Sequence, residues 1–93
     1  MRIIGNIEHP DLKITVFKMD NRVSVKFENT FYEQTYKLGT DERVATMEGV
    51  AGLVDQAFVE QVSAQFRQMH QTRISAFARA FPAGQEATFE EII

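Results

Sequence analysis

The stretch DQAFVEQVSAQFRQMHQTRISAFARAF, Asp55–Phe81, decides the fold of this 93-residue chain. Its apolar side chains recur mostly at spacings of three and four, which predicts one long amphipathic helix. The members of this stripe are Val59, Val62, Phe66, Met69, Phe77 and Phe81, widened by Ile74 and Ala78. Asp55 is suited to cap the start of the helix through its carboxylate, and Pro82 ends the run.

Four segments of alternating polarity precede the helix and predict the strands of one sheet. They are Met1–Ile7, Leu12–Met19, Arg22–Glu28 and Phe31–Leu38. Turns are expected at Glu8–Asp11, Asp20-Asn21 and Asn29-Thr30, because proline, aspartate and asparagine favour tight bends. With these turns, the apolar residues of the alternating pattern lie on the same face of all four strands. A slip of one residue in the pairing would turn them to the opposite face. The sequence therefore predicts an α+β fold, a four-stranded antiparallel β-meander whose inner face receives the long helix.

The expected turns also predict which residues face each other across the strands. The pairs of the first hairpin are Ile7–Leu12 and Ile3–Val16, with Gly5 opposite Ile14. Those of the second are Val16–Val25, Ile14–Phe27 and Lys13–Glu28. Those of the third are Phe27–Tyr32, Val23–Tyr36, Lys26–Glu33 and Ser24–Thr35. Gly5 is interpreted either as a bulge or as clearance for the backbone of a helix.

The chain reads as a single domain, residues 1–93, with three parts. Residues 1–38 form the meander, 46–81 the helical part and 82–93 a C-terminal tail. Residues 39–45 read as a polar loop, after which Thr46 is suited to cap a short helix, Met47–Val54. Gly49-x-x-Gly52 lacks the lysine and hydroxyl residue of a phosphate loop, so we interpret it as part of a connector. Thr88 and Glu91 have capping-box spacing, which predicts a final helical turn in the tail.

Composition excludes several classes of function. The chain has no cysteine, which removes disulfides, thiol nucleophiles and thiolate metal sites and fits a reducing compartment. A net charge of −3 disfavours nucleic acid as the main partner. No apolar run approaches the roughly 20 residues that cross a bilayer, and the first residues lack a signal-peptide pattern. We therefore expect a cytoplasmic protein without a membrane partner.

Catalytic patterns are missing from the sequence. His9 falls in a turn and His70 on the flank of the helix stripe, and we interpret both as structural. The sequence shows no pattern for a nucleophile with its base, for a pair of catalytic carboxylates or for a cluster of metal ligands. We therefore expect a non-catalytic domain without metal or cofactor.

Two surfaces are candidates for binding. A helix of about 26 residues is ~39 Å long, whereas strands of seven or eight residues span only ~25 Å. The helix should therefore outrun the sheet, and the excess carries Ile74, Phe77 and Phe81, with Arg73 suited to contact a carboxylate of a partner. The second candidate is the outer sheet face, which carries basic and aromatic residues. The binding residues predicted on it are Phe17, Lys26 and Phe31.

The function expected from these patterns is a small interaction domain that associates as a homodimer, since an apolar overhang usually marks an interface. A monomer is the alternative if Met47–Val54 or the tail segment Phe89–Ile93 folds back over the stripe. A further, unidentified protein partner is compatible with the same surfaces. The first alternative is nucleic-acid binding through the outer sheet face. The second is a ligand carrier or enzyme with a pocket between the sheet and the helix, where Tyr32, Gln34, Tyr36, His70 and Arg73 would supply the polar groups.

Overall fold

The computed structural model describes residues 1–82 and contains one sheet and three helical segments. The strands are β1 (Arg2–Ile7), β2 (Lys13–Met19), β3 (Arg22–Glu28) and β4 (Glu33–Gly39). Each strand pairs antiparallel with the next in chain order. The helical segments are a 3₁₀ turn (Glu42–Val44), α1 (Met47–Leu53) and α2 (Gln56–Ala80). The predicted meander followed by a long helix is confirmed, and the tail turn predicted at Thr88–Glu91 lies outside the described residues.

The hairpin between β2 and β3 has the predicted register. Val16 faces Val25, and Ile14 faces Phe27. Asp20 takes the left-handed backbone conformation, with φ of 56°, that the two-residue turn requires. This turn therefore fixes the central pair of strands, which supplies five of the fully buried apolar residues: Ile14, Val16, Val23, Val25 and Phe27.

The hairpin between β3 and β4 turns one residue later than predicted. Asn29 is not a central turn residue: its Oδ1 accepts hydrogen bonds from the backbone N–H of Phe31 and Tyr32, at 3.0 and 2.8 Å. The two central residues are therefore Thr30 and Phe31, closed by a bond from Asn29 N–H to the Tyr32 carbonyl.

This later turn moves the partners of Ser24, Lys26 and Phe27 by two residues. A further irregularity between Val23 and Ser24 places Val23 opposite Gly39, three residues from the predicted Tyr36. The observed pairs are Phe27–Gln34, Val25–Tyr36, Lys26–Thr35, Ser24–Lys37 and Glu28–Glu33. The predicted pairs Phe27–Tyr32, Val23–Tyr36, Lys26–Glu33 and Ser24–Thr35 are thus wrong. Because the displacement caused by the turn is even, the apolar side chains stay on the inner face.

The hairpin between β1 and β2 also differs from the prediction. Ile7 faces Ile14 rather than Leu12, and Gly5 faces Val16 rather than Ile14. An irregularity between Ile3 and Gly5 reverses the alternation at the start of β1. Ile4 consequently packs against the core, whereas Ile3, predicted to face inward, is 60% exposed on the outer face beside Phe17.

Gly5 adjoins the irregularity in β1, as the bulge interpretation predicts, and the packing of α1 decides the clearance interpretation. A Cβ atom on Gly5 would lie 2.5 Å from the Sδ atom of Met47, so Gly5 makes room for a side chain of α1 rather than for a helix backbone. Gly49 lies directly against the backbone carbonyl of Arg43. Thr46 caps α1, its Oγ1 accepting from Gly49 N–H at 3.2 Å. Gly49 is therefore a packing residue at the junction between α1 and the 3₁₀ turn.

The long helix α2 runs along the inner face of β4 in the opposite direction. Asp55 caps it as predicted, accepting from Phe58 N–H at 2.9 Å. The Phe58 ring lies 5.2 Å from the Tyr36 ring and 5.4 Å from that of Phe27. Val62 and Phe66 are the buried residues of the helix. Sheet, α1 and the first half of α2 thus share one hydrophobic core.

Candidate interaction surfaces

The helix leaves the sheet at His70. Its Nδ1 atom lies 3.1 Å from Tyr32 Oη, just before the first residue of β4. Within residues 1–82, Met69 is the last apolar residue of α2 that packs against the core. Residues 71–81 continue beyond it for about 16 Å of helix. The radius of gyration, 16.4 Å, accordingly exceeds the value of about 12 Å that is typical of a compact domain of this length.

This extension, the overhang, carries the four side chains predicted for self-association: Arg73, Ile74, Phe77 and Phe81. Ile74 is half-buried, and Phe81 is 48% exposed. The Phe77 and Phe81 rings lie 5.7 Å apart. None of the three apolar residues belongs to the core formed by the described residues. The overhang therefore presents a continuous apolar strip at the end of the molecule.

Arg73 lies on the same strip. Its guanidinium carbon is 5.1 Å from the centre of the Phe77 ring, a cation–π contact. Its Nη1 atom is shielded from solvent and has no hydrogen-bond partner among the described residues. A shielded guanidinium N–H without an acceptor is costly, so a carboxylate placed there would bind favourably.

The outer sheet face holds a second candidate, an open groove of about 430 Å³ that we call the outer groove. Its lining includes Phe17, Met19, Arg22, Lys26, Thr35 and Lys37. Lys26 Nζ lies 5.2 Å from the centre of the Phe17 ring and 3.7 Å from the Glu28 carboxylate. The two predicted residues Phe17 and Lys26 are therefore in contact.

Phe31, the third residue predicted for this face, lies elsewhere. It is a central residue of the turn before β4, 48% exposed, and does not line the outer groove. The prediction placed it in a strand because it assumed a turn one residue earlier.

The observed register places two glutamates at one end of the outer face and two exposed cations at the other. Glu28 faces Glu33 at one end of the sheet, beside the turn at residues 30–31. Arg22 and Lys37 lie towards the other end and line the outer groove together with Lys26, which binds Glu28 at 3.7 Å. No acidic side chain of residues 1–82 lines this groove. The predicted pair of Lys26 with Glu33 is absent, because Lys26 faces Thr35 and Glu33 faces Glu28. The groove is suited to a ligand that is both acidic and apolar.

The polar groups between β4 and α2 bind one another. Tyr36 Oη donates to Gln34 Oε1 at 2.5 Å, and Gln34 Nε2 donates to the Val62 carbonyl at 2.9 Å. Tyr32 and His70 form the pair described above. These are most of the groups that a sheet–helix pocket would have used, and their contacts fasten the helix to the strand. His9, in turn, accepts from Asp11 N–H at 3.0 Å.

Among residues 1–82, the pKa is clearly perturbed at Asp41 and at Arg43, which bind each other. Asp41 caps the 3₁₀ turn and binds the Arg43 guanidinium at 2.6 Å. Hydrogen bonds from Arg43 lower the pKa of the Asp41 carboxyl from 3.8 to about 2. Both side chains are exposed, so this pair organises a surface turn rather than a buried site.

No cluster of three histidine or acidic residues suited to a metal ion occurs in residues 1–82. Over the same range, neither α1 nor α2 combines the length and the apolar character needed to cross a membrane. No protein-family model, curated protein or solved structure matches this chain.

Proposed function

We propose that this chain is a small, non-catalytic interaction domain that acts as a homodimer, with the overhang of each chain packed against that of the other. The observation that supports this most is the end of the core at Met69, twelve residues before the apolar strip ends at Phe81. Phe81 is 48% exposed at the end of this strip, and exposed apolar surface of this kind is typical of interfaces.

A two-fold axis near residue 76 is the simplest arrangement. The two overhangs then run antiparallel, and the same strip of each chain covers the other. Such an interface buries Ile74 and Phe81. We also retain a cytoplasmic location as a prediction, which fractionation of the native cells would test.

Light scattering on chromatographed protein tests the homodimer, with a matched pair of variants. Ile74→Asp places a charge in the strip. Ala76→Asp adds the same charge in the same turn at an exposed position, about 200° around the helix. Wild type and Ala76→Asp are expected at twice the chain mass of 10.6 kDa, and Ile74→Asp at the single mass. A folded wild type that stays at the single mass would refute the proposal.

Nucleic-acid binding through the outer face is the second candidate. The contact between Lys26 and Phe17 favours it, since basic and aromatic side chains together bind single strands. The net charge of −3 counts against it. Retention on a phosphate resin that falls steeply with salt, and is lost on Lys26→Glu, would support this candidate, and passage without retention would exclude it.

A further inference from the structure

The outer groove restricts the chemistry of its ligand. Phe17 and Met19 offer apolar surface, and Arg22 and Lys37 are exposed cations beside them. A polyanion would bind only the two cations, Arg22 and Lys37. An apolar peptide would pack only against Phe17 and Met19. A short peptide with aromatic or aliphatic residues next to carboxylates satisfies both.

The sequence after Pro82 has this composition. Residues 83–93 read AGQEATFEEII, with three glutamates and no lysine or arginine. The last five residues, Phe89–Ile93, place two carboxylates between one aromatic and two aliphatic side chains. Their charge and polarity complement those of the groove.

The length of this segment argues against binding to its own groove. The groove lies towards the Asp20-Asn21 end of the sheet, whereas α2 leaves past Tyr32 at the other end. The return path is ~16 Å along the overhang and ~10 Å from Tyr32 to Thr35, before crossing to the opposite face. Phe89 follows Pro82 by seven residues, which reach at most about 25 Å. The segment of the same chain therefore falls short.

A second chain removes most of that distance. In the antiparallel arrangement, residue 82 of the partner lies beside His70, at the edge of the sheet. Of the path, only the ~10 Å along the sheet from Tyr32 to Thr35 then remains. The seven residues to Phe89 reach about 25 Å, so about 15 Å of extended chain is left to pass around the edge of the sheet.

We propose that the outer groove of one chain binds residues 85–93 of the other, with Glu90 and Glu91 towards Arg22 and Lys37. This inference rests on the homodimer proposed above. It makes the dimer reciprocal, since each chain supplies one groove and one segment.

Peptide binding tests the proposal on the full chain. A fluorescently labelled peptide of residues 83–93 is titrated into the Ile74→Asp variant, whose groove is free, and anisotropy is measured. Phe81→Asp replaces it if circular dichroism shows that Ile74→Asp is not helical. We expect saturable binding that weakens at least tenfold with Arg22→Glu and Lys37→Glu together. Lys13→Glu, at the far end of β2, should leave it unchanged.

Charge reversal identifies the contact. A peptide carrying Glu90→Lys and Glu91→Lys should bind the unchanged groove poorly and recover binding to the Arg22→Glu, Lys37→Glu protein. Absence of binding, equal binding of a scrambled peptide, or binding of a single-stranded oligonucleotide instead would overturn the proposal.

The outcomes separate this proposal from the one on which it rests. If wild type is a dimer but the peptide does not bind, the groove assignment fails and the homodimer stands. If the peptide binds but wild type is a monomer, the homodimer fails, and with it the partner chain as the source of the segment.

Discussion

Tyr32 Oη lies 3.1 Å from His70 Nδ1 where the long helix passes the end of the sheet. The rings also meet edge to face, with centroids 6.1 Å apart. This contact is the last fastening of α2 to β4, so it sets where the supported half of the helix ends and the overhang begins.

Removing the Tyr32 hydroxyl should therefore weaken the fold modestly. We expect Tyr32→Phe to lower the free energy of unfolding by about 0.5–1.5 kcal/mol, because the ring stays and one partly buried hydrogen bond is lost. Urea denaturation measures the change. In a double-mutant cycle with His70→Gln the two effects should not add, whereas strict additivity would mean that the side chains do not interact.

The register of β3 and β4 is tested by reversing one charge. Glu33 faces Glu28, so Glu33→Lys should raise the free energy of unfolding by about 0.2–1 kcal/mol through an opposite-charge pair. In the register first predicted, Glu33 faces Lys26 and the same change would destabilise the sheet. Glu8→Lys, in the β1–β2 connection, controls for the change in net charge. A loss of stability confined to Glu33→Lys would contradict the observed pairing.

The two glycines of α1 should respond in opposite directions to alanine. A Cβ on Gly49 would overlap the carbonyl of Arg43, so Gly49→Ala should cost about 1–3 kcal/mol of stability. A Cβ on Gly52 meets nothing within 4 Å. Gly52→Ala should therefore stabilise by about 0.4–1 kcal/mol. Thermal unfolding measures both, and equal shifts of the two midpoints would show that the contact with Arg43 is absent.

The pair between Asp41 and Arg43 predicts a pH dependence at low pH. The folded-state pKa of Asp41, about 2, lies below the ordinary value of 3.8. The ionised carboxylate therefore contributes its full stabilisation above pH 3.8 and loses it as the pH falls towards 2. A carbon NMR titration of the carboxyl should give a midpoint near 2, moving towards 3.8 in Arg43→Ala. A wild-type midpoint at or above 3.8 would contradict the contact.

Sequence alone predicted the parts of the fold that rest on local pattern. The β2–β3 turn was found because Asp20 and Asn21 both tolerate the left-handed conformation. The stripe of α2 was found because its spacing is nearly continuous. The β3–β4 turn was misplaced because Asn29 acts through its side chain, which no spacing rule distinguishes from a central turn residue.

The candidate sites were predicted less completely, because they depend on contacts that local sequence pattern does not show. The stripe from Val59 to Phe81 is uniform, so only the structure places the end of the core at Met69. The contact between Phe17 and Lys26 follows from the correct β2–β3 register. Phe17 faces Ser24, and Lys26 lies two residues further along β3 on the same face. The placement of Glu33 opposite Glu28 depends on the β3–β4 register, so it differs from the predicted pair of Lys26 with Glu33.

Distances between spin labels test the paired overhangs most directly, and the cysteine-free chain permits single labelling. Labels at Ala76→Cys, on the exposed side of the overhang, and at Gln56→Cys, at the start of α2, are compared by pulsed electron spin resonance. Antiparallel overhangs that cross near residue 76 predict a label separation below about 30 Å at 76 and about 60 Å at 56. Short distances at both positions would contradict the antiparallel arrangement, and the absence of any dipolar signal at 76 would contradict the dimer itself.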